Sequence, residues 1–467
     1  MNKTLGLIIP VLVGVGLWSM SVPVGLDPKG WQLFSIFVPT ILGIIFKPLP
    51  MGPVALLGLL AAVLTGVLDL GKDGLTGFAS PVIWLIIYVF FIARGFIKSQ
   101  LGTRIAYIFV KLLGRQTLGL GYGIVLTELV IAPVIPSNAA RAGGIMLPIL
   151  KAISESMGSR PEDGTEKKIG SFLTQVCYQG NLITSAMFLT AMAANPMAQA
   201  IAAKQGIEIT WTNWFLASLV PGLLSIIIVP LVLYFLYPPE IKVLPEAVGM
   251  AEKKLKEMGP MKKAEWTMLG IFCFMLFFWI FGDHWGITAT TTALMGLSLL
   301  LLTDVLNWKD VLNEHEAWHV LFWMAILVTM SSYLEKFGFI SWFSNSMGAF
   351  VQGWHSIYAF VTLALIYFYS HYFFASNTAH VSSMYAAFLA VSVNAGAPPL
   401  LAALCLAYFS SLFSSMTHYG TSAGAVLFGT GYVPIGAWWG LGLIVSIVNL
   451  IIWFGAGGVW WKVIGIW

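Results

Sequence analysis

Ala132-Pro133-Val134-Ile135-Pro136-Ser137-Asn138-Ala139-Ala140-Arg141-Ala142-Gly143-Gly144 interrupts a long apolar run, and its reading decides the fold. Proline lacks an amide hydrogen and clashes with the preceding turn, so a continuous helix does not pass through Pro133 and Pro136. The chain is expected to dip in, turn through Ser137 and Asn138, and come back. Ser and Asn cap helix N-termini. A helix beginning there aims amides and a partial positive charge at an anion. The device recurs at Ser376-Asn377-Thr378-Ala379-His380.

The composition says what surrounds these turns. Hydrophobic residues make up 58% of 467 positions and charged residues only 9%, too little polar surface for a soluble globule of this size. Lipid must be the main solvent. Crossing about 30 Å of hydrocarbon takes about 20 apolar residues. The sequence offers about eleven such helices, at 5–22, 31–49, 54–68, 82–97, 170–193, 213–237, 266–282, 288–303, 317–334, 400–427 and 437–461. Two broken stretches, 118–153 and 357–393, are left over as re-entrant hairpins, because non-helical backbone at membrane depth must face protein or a water-filled cavity. The expected class is an all-α polytopic membrane protein. Cys177, Cys273 and Cys405 fall in apolar segments without metal-ligand spacing and read as packing residues. The net charge of +4 is spread between the apolar segments and forms no nucleic-acid patch.

The basic residues report topology. With a cytoplasmic N-terminus, the inner loops hold 17 Lys and Arg, and the outer loops hold only Lys29, Lys72, Lys204, Lys336 and Lys462. The expected arrangement is N-terminus inside and C-terminus outside, in a bacterial-type inner membrane. Residues 238–265 read as a cytoplasmic connector, and the sequence echoes itself around it. Trp31 matches Trp266 at an offset of 235, Lys72-Asp73 matches Lys309-Asp310 at 237, and Trp84 matches Trp318 at 234. Gly102 matches Gly338 at 236, and Ser137-Asn138 matches Ser376-Asn377 at 239. The organisation is therefore an extra helix (1–25), a first repeat (26–237), the connector and a second repeat (266–467). Five full spans per repeat make the second copy inverted, and transporters of that kind hold substrate near the midplane where broken helices meet.

Gly180-Asn181-Leu182-Ile183-Thr184-Ser185 and Thr417-His418-Tyr419-Gly420-Thr421-Ser422 also interrupt apolar spans and are expected to be unwound, with Thr184, Ser185, Thr417 and Thr421 as binding candidates. The alternative is that these hydroxyls bond back to the previous turn. Ionisable residues inside the bilayer are costly and are usually functional or paired. Arg141 has two readings, a bidentate grip on a substrate carboxylate or an ion pair with Glu128 inside the hairpin. His380 and Tyr419 are accessory candidates.

The strings Pro136-Ser-Asn-Ala-Ala-Arg-Ala-Gly-Gly144, Ala375-Ser-Asn-Thr-Ala-His380, Thr417-His-Tyr-Gly-Thr421 and Trp460-Trp-Lys-Val-Ile-Gly465 resemble the divalent anion:sodium symporter family. They are more similar still to its bacterial and plastid dicarboxylate branch, which includes the 2-oxoglutarate/malate translocators and bacterial dicarboxylate and tricarboxylate antiporters. The resemblance runs along nearly the whole chain. It implies a homodimer, a scaffold and a transport domain in each protomer, an elevator-like movement, and substrate held between two Ser-Asn-Thr tips. Carried over by position, Ser137, Asn138, Ser376, Asn377 and Thr378 are the binding residues, with Ala139 standing where the family often has Thr.

The function expected is antiport of C4–C5 dicarboxylates (malate, succinate, fumarate, 2-oxoglutarate) without a cofactor. Sodium-coupled symport of di- or tricarboxylates is the alternative, with sodium possible but not favoured. An intramembrane hydrolase using Ser137 or Ser376 with His380 or His418 would need one asymmetric site, whereas this sequence duplicates its polar tip. An anion channel would need a lined pore, and a duplicated tip is better suited to enclosing one molecule.

Overall fold

The computed structural model describes residues 3–348 and 354–467. Among these the chain is helical without a strand, and its one isolated bridge joins Gln116 to Val243. Helix α1 (Lys3–Ser19) precedes the first repeat, which runs α2 (Pro28–Phe46), α3 (Met51–Leu64), α4 (Pro81–Ser99), α5 (Leu101–Leu113), α6 (Thr117–Ile131), α7 (Leu147–Ser156), α8 (Gly170–Met187), α9 (Ala194–Lys204) and α10 (Trp211–Leu236). After α11 (Pro245–Met258) in the connector come α12 (Lys263–Phe281), α13 (Ala289–Leu302), α14 (Trp308–Leu312), α15 (His315–Lys336), α16 (Phe339–Gly348) and α17 (Ser356–Ser370). The second repeat ends with α18 (Asn377–His380), α19 (Ala386–Asn394), α20 (Pro399–Leu412), α21 (Ser422–Phe428), α22 (Ile435–Ile452) and α23 (Gly458–Val463).

Seven helices among the described residues are long and apolar enough to cross a membrane, and five shorter apolar helices accompany them. Helix α8 belongs to neither group because it carries Thr174, Gln175, Gln179 and Asn181, yet every one of its residues is buried. A helix enclosed by protein on all sides never meets lipid and can carry polar groups where partners are at hand.

The two halves match element by element. Helices α2 and α12 have 19 residues each, and α3 and α13 have 14 each. The Trp84 indole donates to the Phe78 carbonyl just before α4, and the Trp318 indole donates to the Val311 carbonyl just before α15. Lys98 at the end of α4 pairs with Asp310 just before α15 at 2.6 Å. At the other end the Tyr333 hydroxyl of α15 donates to Asp73, just before α4. Equivalent helices therefore run antiparallel, as an inverted repeat demands. The Gly102–Gly338 match needs correction: the left-handed residue joining α4 to α5 is Gln100 (φ 64°), and its counterpart between α15 and α16 is Gly338 (φ 75°).

Both broken segments return to the face they left. Residues at the start of the first, Arg115 and Thr117, and residues just after it, Lys167 and Lys168, bond to one connector strap at 240–244. The second closes on itself, since a Cβ at Gly396, past its end, would touch Ser356 at its start. The halves are also stitched at the connector, where the Arg104 guanidinium grips the Glu265 carboxylate with two bonds of 2.5 and 3.1 Å.

Close approach places α22 against the break after α20. A Cβ on Gly442 would run into the Ser415 carbonyl oxygen and the Met416 Cα, both backbone atoms that cannot swing aside. Gly442→Ala is expected to cost about 1–3 kcal/mol through this overpacking. A lowered thermal midpoint of the purified protein would register it, and an unchanged midpoint would refute the close-approach argument.

Candidate functional site

The tips begin helices in the same way. Ser137 Oγ accepts from the Ala140 amide at 3.2 Å, and Ser376 Oγ accepts from the Ala379 amide at 3.4 Å. Each is the third residue on, which is the geometry of an N-cap. Behind each cap the helix passes through a π-helical stretch, Ala140–Met146 in the first half and Val381–Tyr385 in the second. Such widened turns are frequent at functional sites.

The asparagines anchor the tips to the broken helices. Asn138 Oδ1 accepts from the Ser185 hydroxyl at 3.2 Å. Asn377 Nδ2 donates to the Ser410 carbonyl at 2.9 Å and lies 3.1 Å from Ser414 Oγ. Both asparagines are only 8% exposed.

Helix α20 gives way at 416–421, overlapping the stretch 417–422 expected to unwind, and restarts at α21, where Thr421 Oγ1 caps the Gly424 amide at 2.9 Å. The break in the first half lies elsewhere than expected. Residues 180–185 are continuous helix, and α8 opens at 188–193, before α9. Gly180 is there for packing, since a Cβ would come within 2.7 Å of Val125. The Thr184 and Ser185 hydroxyls bond back to the Asn181 carbonyl. Asn195 satisfies the carbonyls that the true break frees, donating to Ser185 O at 2.8 Å and Phe188 O at 2.9 Å.

One cavity of ≈ 570 Å³ gathers these parts. It is lined by Ser137 and Asn138 from one tip, by Ser376, Asn377 and Thr378 from the other, and by the starts of α9 (Ala193, Ala194) and α21 (Thr421, Ser422). Four helix N-termini thus open on one space in which no Lys or Arg comes from the tips. Tyr419 also lines it, with its hydroxyl donating to the Tyr372 carbonyl. Ala139, Thr184, Ser185 and Thr417 are not in its lining.

Arg141 is fully buried behind the first tip and does not line the cavity. Its Nε donates to Glu128 at 2.9 Å, and its Nη atoms reach the carbonyls of Ile135 (2.5 Å) and Ala191 (2.6 Å) and the Ser185 hydroxyl (2.5 Å). Of the two readings of this residue, the geometry is that of the internal pair. His380 is likewise buried, bonded to Ser370 Oγ at 2.8 Å among Tyr367, Phe374 and Phe413. Reasoning from sequence missed the opposite wall, which is Lys47, Met51, Glu316, His319 and Trp323. Its one readable signal was Lys47, a charge near the end of the apolar span 31–49.

The family model for the sodium:sulfate symporter transmembrane region matches residues 1–467. The chain is 55% identical to "Putative malate transporter YflS" of Bacillus subtilis (strain 168), over 100% of this chain and 97% of that one. It is 49% identical to chloroplastic dicarboxylate transporter 1 of Spinacia oleracea, over 99% of this chain and 81% of that one. Identity to the inner membrane protein YbhI of Escherichia coli (strain K12) is 37%, over 98% and 96% of the two chains. Among solved structures, the Alcanivorax borkumensis YdaH transporter shares the fold, with a TM-score of 0.56 at 14% identity over 99% of this chain and 97% of that one.

Proposed function

Because the chain belongs to the sodium:sulfate symporter transmembrane family, matched along its whole length, we propose that it is a secondary carrier that exchanges C4–C5 dicarboxylates such as malate, succinate, fumarate and 2-oxoglutarate. The observation that carries this reading is the convergence of four helix N-termini, three with hydroxyl caps, on one cavity. A helix N-terminus carries roughly half a positive charge, so the four together suit a dianion without any tip cation. The names of the bacterial and chloroplast relatives, which specify malate and dicarboxylates, support that choice of anion.

In this reading the two hairpins with α8 to α10 and α20 to α23 form the moving body, held together by bonds such as Trp214 Nε1 to the Ala186 carbonyl and Trp461 Nε1 to the Ala217 carbonyl, and the remaining helices form a scaffold that pairs with a second copy. The membrane is a bacterial plasma membrane, with the N-terminus and the lysine-rich connector in the cytoplasm. The protein carries its substrate unchanged and is not an enzyme.

Sodium coupling fits the residues poorly. A sodium ion between the first tip and the first break would need carbonyl oxygens there, and those of Ile135 at the tip and Ala191 in the break accept from the Arg141 guanidinium. At the second break the Gly420 carbonyl lies 3.2 Å from His371 Nε2, and within α20 before it the Ser410 carbonyl accepts from Asn377. Near both breaks, carbonyl oxygens beside the tips are thus already engaged by fixed side chains. In proteoliposomes preloaded with malate, uptake of labelled malate is expected to keep its rate when choline replaces sodium. A fivefold or greater fall would overturn the exchanger in favour of symport.

A further inference from the structure

The Lys and His side chains that line the cavity, Lys47 and His319, both stand on the wall opposite the tips. Lys47 caps the end of α2 in a left-handed conformation (φ 52°), which sets its side chain off the helix axis. It is exposed and forms no ion pair with a described residue. His319 and Glu316 sit on the first turns of α15, with the His319 ring over the start of α3 near Gly52. A further cavity of ≈ 430 Å³, lined by Lys47, Pro48, Leu49, Pro50, Met51 and His319, adjoins them. This is the lysine-rich face, because the α15 start and the α4 end are joined there by the Lys98–Asp310 pair.

The repeat has no equivalent on the other face. At the offsets that align α2 with α12 and α4 with α15, Lys47 corresponds to Gly282, Glu316 to Val82 and His319 to Leu85. Each of these side chains is uncharged. The tips duplicate their chemistry and the scaffold wall does not.

We propose that Lys47, assisted by His319, is a recognition element used on the cytoplasmic face only, where it holds the second carboxylate of a dicarboxylate seated on the tips. This rests on the carrier reading above, in which the tips travel and the wall stays. A substrate on the neutral tips meets Lys47 at one end of the journey and, at the repeat-equivalent positions, an uncharged wall at the other. Glu316 beside the mouth offsets that cation and keeps the dianion releasable. The contact lies in an open cavity and is screened by salt.

The test is sided exchange by the full chain in proteoliposomes, with the half-saturation concentration of malate measured on each face. Lys47→Met is expected to raise the cytoplasmic-face value three- to tenfold while the outer-face value moves less than twofold. Glu316→Gln is expected to lower the cytoplasmic value, Lys47→Arg to retain the wild-type value, and the Lys47→Met effect to shrink at high ionic strength. Equal shifts on both faces, a shift on the outer face alone, or no shift on either would overturn the proposal. Wild-type protein that binds malate without exchanging it would overturn the carrier reading itself, and this proposal with it.

Discussion

Asn377→Ala and Asn138→Ala are each expected to remove dicarboxylate exchange while leaving membrane insertion and folding intact. The Asn377 amide satisfies the Ser410 carbonyl and meets Ser414 Oγ, so it fixes the second tip against α20. Asn138 does the same for the first tip through the Ser185 hydroxyl on α8. Both residues also line the cavity, so truncation removes an amide from the substrate's reach, and a lost hydrogen bond to a charged carboxylate, about 1.5–3 kcal/mol, amounts to roughly ten- to a hundredfold in affinity. Malate binding to the purified variants, followed by isothermal calorimetry, would decide the matter, and wild-type affinity in both would exclude the tips as the site.

The largest effect on stability is expected from Arg141→Met. Glu128 and Arg141 are both fully buried, and the guanidinium ties the carboxylate, the tip carbonyl of Ile135, the break carbonyl of Ala191 and the Ser185 hydroxyl into one unit. Removing one partner of a buried pair leaves an uncompensated charge, typically at 3–5 kcal/mol. It also leaves the buried carbonyls of Ile135 and Ala191 without the guanidinium that bonds them. The variant should express poorly or melt well below the wild type. Adding Glu128→Gln removes the stranded charge and should recover part of the midpoint, because Asn181 Nδ2 already donates to that side chain at 2.9 Å. If the single variant were as stable as the wild type, or the double variant worse than the single, the pair would not be what holds the hairpin.

The hairpins were legible in the sequence because Pro133 and Pro136 forbid a continuous helix and Ser137 and Ser376 cap the helices that follow. The apolar spans were legible because lipid imposes a hydropathy signal. Helices α5 and α16 were missed because they are short connecting helices, and α5 carries Arg104 and Lys111, so no apolar window marks it. The first break was placed in the wrong stretch for a geometric reason. The loop after the first hairpin (157–169) is longer than the loop after the second (395–398), so the offset between repeats falls from 239 at the tips (376 − 137) to 228 at the breaks (416 − 188). Carrying an offset of 236 past that loop paired 180–185 with the second break. The break at 188–193 also lacks the glycine and threonine density of its counterpart. Asn195-Pro196 was its signal, an amide able to take freed carbonyls next to a residue that opens a helix. The wall of Lys47, Glu316 and His319 comes from the end of α2 and the start of α15, far apart in the sequence, and only the folded chain brings them together.

The central claim is that a dianion, and no mobile cation, permits the loaded tips to cross. Four helix N-termini facing an empty cavity would have to carry their partial charges across hydrocarbon unneutralised, whereas a bound dicarboxylate cancels them. The most direct measurement compares labelled malate uptake into proteoliposomes of the purified protein that are empty or preloaded with unlabelled malate, in sodium-free buffer. Uptake confined to the preloaded vesicles is the result expected. Equal uptake into empty vesicles, or uptake that a sodium gradient alone can drive, would contradict the account.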